Sequence, residues 1–192
     1  MKTKRKLGEA PGSVRIIGGL WRGRRLGIPA GAAMLRPTPD RVRETLFNWL
    51  RAEIEGAACA DLFAGTGVLG FEALSRGADE VWLVERDRGL WAMLESHSAS
   101  LGAGSRAHVL RDDAAGFLAA AAEPRFDLVF LDPPFADPIE PLLAALRPRL
   151  REGALIYVER PAEPGLPEVA EAEWVKRGRA ASVAFGLLRF AG

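Results

Sequence analysis

A glycine-rich turn between a short apolar strand and a helix constrains the fold of this chain most strongly. The segment from Asp61 to Gly70 reads Asp-Leu-Phe-Ala-Gly-Thr-Gly-Val-Leu-Gly and contains the pattern G-x-G-x-x-G. Glu85 ends the next apolar strand, about 20 residues further along. Glycines in such a turn let a ligand approach the backbone closely, and a carboxylate after the second strand can hold ribose hydroxyls. The spacing therefore predicts a nucleoside site at the start of a β/α sheet.

Apolar strands and helices alternate from residue 57 onward. The predicted strands cover 59–63, 81–85, 107–111, 126–131 and 155–159, and the predicted helices cover 68–76, 88–101, 114–122 and 141–150. Two further strands, 174–179 and 181–190, follow each other without a helix between them. That ending predicts one antiparallel edge strand. The pattern as a whole predicts an α/β fold, with a seven-stranded, mostly parallel sheet and helices on both faces.

The charges are distributed unevenly along the chain, although the formal net charge is only +1. Residues 1–51 carry 12 lysines and arginines against 3 acidic residues, whereas the remainder carries 14 against 22. This asymmetry predicts a basic extension that binds a polyanion, followed by an acidic body. We expect a disordered basic tail over 1–12, an extension over 13–53 and the main domain over 54–192.

The extension should contain a small β-hairpin, formed by 14–17 and 24–28, and a helix that runs to about residue 53. Thr38 is the expected N-cap, with Pro39 at the first helical position. Arg41 and Arg43 are expected to face outward. The predicted RNA-binding residues are Arg22, Arg24, Arg25, Arg36, Thr38, Arg41 and Arg43.

Residue counts exclude several kinds of site. A single cysteine, Cys59, excludes an internal disulfide and a multi-cysteine zinc site, and with only two histidines we expect no metal. The apolar runs are far shorter than the ~20 residues of a membrane span. The basic N-terminus has no apolar segment after it, so it is not a secretory signal. These observations predict a soluble, cytoplasmic protein that does not bind membranes.

Acidic residues also end the first and third predicted strands. Asp61 would repel a pyrophosphate, but it would attract the amino group of a nucleoside with an amino acid moiety and a sulfonium, namely S-adenosylmethionine. Asp112 and Asp113 lie where an acceptor can bind the exocyclic amine of adenine, although either could cap the next helix instead. Of the two, we favour Asp113 for the ligand. The predicted cofactor-binding residues are Asp61, Phe63, Gly65, Thr66, Gly67, Glu85, Arg86, Asp112, Asp113 and Ala114.

The fourth strand ends in Asp132-Pro133-Pro134-Phe135, the most specific motif in the chain. Two prolines fix an extended turn and remove two backbone donors, which leaves carbonyl oxygens facing the cleft. Asp132 adds a carboxylate acceptor, and Phe135 adds a flat apolar face. A planar amine on a base needs acceptors for its N–H groups and a stacking partner for its ring. These four residues are therefore the predicted catalytic residues.

Together with the glycine loop, this motif resembles the class I S-adenosylmethionine-dependent amino-methyltransferases. The stretches 14–19, 21–26 and 36–50 narrow the resemblance to the bacterial RsmD-type 16S rRNA guanine-N2-methyltransferases. The resemblance spans about residues 14–190. It implies a Rossmann-like fold and methylation of the exocyclic N2 of one guanine in the small ribosomal subunit, with the 30S particle or its assembly intermediate as substrate. It also implies S-adenosylmethionine as cofactor and S-adenosylhomocysteine as product, and we expect a monomer.

Other classes of protein explain fewer of these features. A DNA adenine-N6 methyltransferase, or another nucleic-acid amino-methyltransferase, is the main alternative, but residues 136–153 leave no room for a target-recognition region. A glutamine methyltransferase would more often carry Asn at position 132 and Tyr at position 135. A nicotinamide-dependent oxidoreductase leaves Asp61 and the Asp132–Phe135 motif unexplained. A non-catalytic RNA-binding module explains only the extension.

Overall fold

The computed structural model describes residues 12–28, 38–120, 123–180 and 182–190. The strands in these ranges are β1 Ser13–Arg15, β2 Arg25–Gly27, β3 Ala58–Asp61, β4 Glu80–Val84, β5 Ala107–Leu110, β6 Phe126–Leu131, β7 Leu150–Pro161, β8 Ala172–Ala180 and β9 Val183–Phe190. The α-helices are α1 Asp40–Trp49, α2 Val68–Ser75, α3 Arg88–Leu101, α4 Ala114–Ala119 and α5 Glu140–Leu146. None of these helices is long and apolar enough to cross a bilayer. Arg36 and residues 1–11 of the expected tail lie outside the described residues.

Seven strands form one sheet in the order β5-β4-β3-β6-β7-β9-β8. The first five strands in this order run parallel, and β9 is antiparallel to both β7 and β8. The predicted α/β fold with a seven-stranded, mostly parallel sheet is therefore confirmed, and β1 and β2 form the expected separate hairpin.

The position of the antiparallel strand differs from the prediction, because β9 lies one place inside the edge and β8 forms the edge itself. Burial accounts for this order. In β9, residues 184–188 are all buried, whereas most of β8 is exposed or half-buried. The basic side chains of Lys176, Arg177 and Arg179 are exposed on β8. Charged residues suit an edge strand because they discourage pairing with another chain.

Helices cover both faces of the sheet. On one face, α4 and α5 pack through Phe117 and Leu143 against Val129 and Ile156. On the other face, the hairpin and the first three helices share a single apolar core with the sheet. That core includes Leu26, Leu46, Phe47, Phe71, Leu94, Phe130 and Tyr157. The N-terminal extension is therefore built into the main core.

The start of α1 corrects one expectation. Pro39 occupies the N-cap position and makes no side-chain cap bond, so Thr38 does not cap the helix as predicted. Thr38 is instead only 4% exposed, and its side chain lies close enough to Glu159 to lower the pKa of that carboxyl group. This burial also removes Thr38 from the surface on which it was expected to contact RNA.

Candidate active site

The carboxyl ends of five parallel strands meet at one edge of the sheet. The strand order changes direction at β3, with β4 and β5 on one side and β6 and β7 on the other. Ligands of open α/β sheets bind in the crevice at such a switch point. The glycine loop follows β3, and the Asp132–Phe135 motif follows the adjacent β6. The two motifs that the sequence analysis singled out therefore flank the same crevice.

The glycine loop takes a backbone conformation that suits glycine. Gly65 and Gly67 both have positive φ, at 50° and 75°. A Cβ atom on Gly67 would also lie 2.5 Å from Leu94 Cδ2 and 2.6 Å from Phe71 Cε2. Glycine is thus favoured at this position both by its positive φ and by the packing beneath the loop.

Glu85 ties the loop to the end of β4. Its Oε2 accepts a hydrogen bond from the Gly65 backbone N–H at 3.0 Å, and its Oε1 accepts one from the Asp87 N–H at 2.8 Å. A carboxylate has about four lone-pair directions, so both oxygens can still accept a hydroxyl proton. The geometry fixes Glu85 beside the loop while leaving it able to bind a ribose.

Asp61 is a buried carboxyl group at the end of β3. It is 3% exposed, and its Oδ2 accepts a hydrogen bond from the Gly70 N–H at 3.2 Å. Burial raises the pKa of Asp61 from 3.8 to about 7, the hydrogen bond from Gly70 opposes that rise, and the charge of Glu85 adds to it. A cation in the crevice would favour the ionised form of this residue.

Two aspartates follow β5, and one of them is a helix cap. Asp113 Oδ1 accepts a hydrogen bond from the Gly116 N–H at 2.7 Å and so caps α4. Asp112 Oδ1 accepts one from the Asp113 N–H at 2.8 Å. Capping leaves the other oxygen of Asp113 for a ligand, and the preference for Asp113 stays a prediction. Of the other expected cofactor residues, Thr66 and Ala114 are buried, Phe63 is half-buried and Arg86 is exposed.

Across the crevice, Asp132 and Phe135 present the two groups expected to meet a base. Phe135 is 49% exposed, which is unusual for a large apolar side chain in this protein. Asp132 is partly buried, and its pKa is raised well above 3.8 by burial and by the charges of Glu159 and Asp61, with Arg160 opposing. Pro133 is buried between them and Pro134 is exposed.

Arg160 and Glu159 are site residues that the sequence analysis did not assign. Arg160 Nη2 donates to the Phe135 carbonyl oxygen at 2.8 Å and so holds the motif in place. Glu159 is 5% exposed in β7, and its Oε2 accepts a hydrogen bond from the Tyr157 hydroxyl at 2.8 Å. One sequence feature could have identified Glu159 as a site residue. It is a charged residue that directly follows the apolar run 155–158, at the carboxyl end of a predicted strand.

Arg43 corrects the prediction that this residue faces outward to contact RNA. It is fully buried, and its Nη1 donates to the Arg15 carbonyl oxygen at 2.9 Å and lies 3.4 Å from Glu72 Oε2. Its Nη2 donates to Asp40 Oδ1 at 2.5 Å. Arg43 precedes Leu46 and Phe47 by three and four residues, so helical spacing already placed it on the buried face.

The other described arginines of the predicted RNA-binding set are exposed. They are Arg22, Arg24, Arg25 and Arg41. Arg24 Nη2 donates to the Ser100 carbonyl oxygen at 2.7 Å, and Arg25 Nε donates to Ser13 Oγ at 3.3 Å. Their contact with RNA remains a prediction.

Comparison with known proteins identifies the relatives of this chain. The family model described as "Conserved hypothetical protein 95" matches residues 14–188. Ribosomal RNA small subunit methyltransferase D of Escherichia coli K12 is 49% identical over 166 residues, which cover 85% of this chain and 82% of that protein. The protein of the same name from Haemophilus influenzae is 44% identical over 171 residues, covering 86% and 87%.

A solved structure agrees with these relatives. The structure of the Escherichia coli protein yhhF, described as a methyltransferase, superposes with a TM-score of 0.85 at 43% identity. The match covers 94% of this chain and 99% of that one. Family, sequence and structure agree over nearly the whole chain. The chain therefore belongs to the RsmD-type family of methyltransferases.

Proposed function

We propose that this protein transfers a methyl group from S-adenosylmethionine to the exocyclic N2 of a guanine in 16S rRNA. The observation that carries the proposal is the placement of the glycine loop and the Asp132–Phe135 motif on the two sides of one crevice. The first motif suits a nucleoside cofactor, and the second suits a planar base with an exocyclic amine.

The residues around the glycine loop fit S-adenosylmethionine. When bound, this cofactor supplies a methyl group activated on a sulfonium. Asp61 would face the ammonium of its amino acid moiety, because a buried carboxyl with a pKa of about 7 ionises readily beside a cation. Glu85 would accept the ribose hydroxyls, and the residues after β5 would bind the adenine.

The motif after β6 would hold the base for in-line attack. Phe135 offers a half-exposed ring for stacking, and the Asp132 carboxylate and the Pro133 carbonyl oxygen can accept hydrogen bonds from an amine. As nitrogen bonds to carbon, it gains positive charge. An ionised Asp132 stabilises that charge and can accept the departing proton.

Two observations support guanine in rRNA as the substrate. The relatives that are 44–49% identical are named as methyltransferases of small-subunit ribosomal RNA. Arg160 Nη1 is also a buried donor without a partner among the described residues, beside a motif that it holds through its Nη2. A donor here suits the O6 carbonyl of guanine, whereas adenine presents an amine in its place. A monomer acting on the 30S particle in the cytoplasm completes the proposal.

Mass spectrometry of 16S rRNA nucleosides tests this function directly. A strain that lacks the protein should lose N2-methylguanosine at one position, and purified protein with S-adenosylmethionine should restore it in isolated 30S particles. Protein carrying Asp132→Asn should fail to restore it at the same concentration. An unchanged rRNA methylation pattern together with lost N6-methyladenine in DNA would instead support the DNA methyltransferase alternative.

A further inference from the structure

Asp132 and Glu159 lie next to each other where β6 and β7 end. The two strands are parallel and pair Phe130 with Tyr157, two residues before each acid. Because side chains alternate along a strand, Glu159 lies on the face that carries the Phe130 and Tyr157 rings, whose centroids are 6.3 Å apart. Asp132 directly follows the last residue of β6, and it is close enough for the charge of Glu159 to raise its pKa. Two neighbouring carboxylates that have limited access to water repel each other, so one of them tends to keep its proton.

Hydrogen-bond donors are divided unequally between these two acids. Glu159 accepts a hydrogen bond from the Tyr157 hydroxyl at 2.8 Å, and the nearby Thr38 side chain also lowers the pKa of Glu159. Within the described ranges, no residue donates a hydrogen bond to the Asp132 carboxyl group. Donors stabilise the ionised form of a carboxylate. The negative charge of the pair therefore belongs on Glu159, and the proton belongs on Asp132.

The other charged groups around Asp132 act in both directions. Asp61, at the end of β3, adds a second negative charge beside Asp132, and Arg160 in β7 adds a positive one. Burial and the two acids outweigh the arginine, and the pKa of Asp132 is raised well above its ordinary value. An additional cation in the crevice would reverse this balance and favour the ionised form of Asp132.

We propose that Glu159 is a positioning residue whose fixed charge makes Asp132 hold a proton until a cationic methyl donor binds beside it. This inference rests on the proposed function, because the cation is the sulfonium of S-adenosylmethionine. When the donor binds, the Asp132 O–H bond breaks, its electron pair stays on the carboxylate and the proton leaves to solvent. Asp132 then becomes an acceptor only when there is a methyl group to transfer.

The product provides the matched comparison ligand. S-adenosylhomocysteine has the same ammonium, ribose and adenine, but its sulfur is neutral, so Asp132 should keep its proton when the product binds. Asp61 also binds a proton near neutral pH, but it would face the ammonium that both ligands carry. Any proton that Asp61 releases therefore cancels when the two ligands are compared.

Isothermal titration calorimetry in buffers of different ionisation enthalpy measures how many protons are released when each ligand binds. Near pH 7 the wild-type protein should release up to about one more proton with S-adenosylmethionine than with S-adenosylhomocysteine. In Glu159→Gln this difference should fall close to zero, because Asp132 is already ionised before the donor arrives. The glutamine oxygen can still accept the Tyr157 hydroxyl. Glu152→Gln, an exposed change in the same strand, should keep the wild-type difference.

Each result bears on the inference. Equal proton release for the two ligands in the wild type, from pH 6 to pH 8, would overturn it without any variant having to fold. A wild-type difference that persists in Glu159→Gln would overturn the role of Glu159. If neither ligand bound at all, the proposed function itself would fail and the inference with it. If the difference in proton release is present in the wild type and in Glu152→Gln but is lost in Glu159→Gln, the result supports both the proposed function and the role of Glu159.

Discussion

Single residues at this site combine burial with ionisable chemistry. Asp61, Asp132 and Glu159 are carboxyl groups whose pKa is raised in each case mainly by burial. Such groups weaken the folded state at neutral pH, because ionisation is easier in the unfolded chain. Perturbed carboxyl groups gathered at one crevice are typical of functional sites. The ligand would recover part of this free energy by supplying a cation.

We expect Asp61→Asn to stabilise the protein while weakening cofactor binding. The pKa of Asp61 is 3.8 before burial and about 7 in the folded state, so its contribution to stability falls as pH rises from about 4 to about 7. The variant should therefore gain about 2–4 kcal/mol at pH 8 and little at pH 4. Urea denaturation at both pH values measures this, with the exposed Asp79→Asn as control. An equal change at both pH values would show that Asp61 ionises normally.

We expect Asp132→Asn to slow methyl transfer at least ~100-fold while leaving S-adenosylmethionine bound, because the amide cannot stabilise positive charge on the nitrogen. Single-turnover transfer to 30S particles at saturating cofactor measures the step. The control is Asp137→Asn, an exposed change in the following loop. A wild-type rate in Asp132→Asn would leave Asp132 only a role in positioning the amine.

Three secondary-structure elements meet on one buried carboxylate. Glu72 of α2 accepts hydrogen bonds from the Ile17 backbone N–H at 2.8 Å and from Arg76 Nε at 2.8 Å. It also lies 3.4 Å from Arg43 Nη1 of α1. Both the Arg43 and Glu72 side chains are fully buried. The hairpin, α1 and α2 are therefore held together by charge as well as by apolar packing.

Removing one partner of this buried pair should destabilise the whole protein. We expect Arg43→Met to lower the free energy of unfolding by about 3–5 kcal/mol, since Glu72 is left buried with less compensation. The matched change Arg41→Met, on the exposed face of the same helix, should alter the free energy of unfolding by no more than about 0.5 kcal/mol. Adding Glu72→Gln to Arg43→Met should recover part of the loss. Urea denaturation gives all three values, and equal effects at positions 41 and 43 would contradict this role.

The elements themselves follow from local patterns, whereas their spatial order does not. The strand Phe126–Leu131 and the helix Arg88–Leu101 have the predicted boundaries, because apolar runs and a terminal Gly102 are local signals. Which of β8 and β9 lies next to β7 depends instead on which of these two strands is more apolar. Glu159 was not assigned, and Arg43 was assigned to the surface, because a charged residue type suggests exposure whereas tertiary packing buries both side chains against polar partners.

On the scale of the whole molecule, charge separates the two ends of the chain. The exposed arginines of the hairpin and α1 lie in the first 51 residues, which are strongly basic, and the acidic residues of the crevice lie in the remainder. This separation can be read from the sequence alone, because net charge needs no knowledge of packing. The electrostatic field of this charge distribution would steer an RNA toward the basic hairpin and away from the acidic body.

We expect the hairpin arginines to govern the salt dependence of rRNA binding. Replacing Arg22, Arg24 and Arg25 by alanine should flatten the slope of affinity against salt by up to about 3 units, since each phosphate contact releases a counterion. The control removes the same charge from the edge strand, through Lys176, Arg177 and Arg179, and should leave the slope nearly unchanged. The affinity of each variant for rRNA, measured over a range of salt concentrations, gives the two slopes to compare. Equal flattening by both sets would mean that the hairpin makes no specific contact.

The buried carboxylate of Glu72 limits how this architecture can be re-engineered. An RNA-binding module is often pictured as an adapter that can be exchanged between catalytic domains. Here, a chain cut after the extension would leave Glu72 without Arg43 and would strip Leu46 and Phe47 from the core. A chimaera with a foreign recognition element would need to bring its own cation into the same position. The proposed RNA recognition by the extension and the proposed catalysis in the main domain would therefore have to be redesigned together.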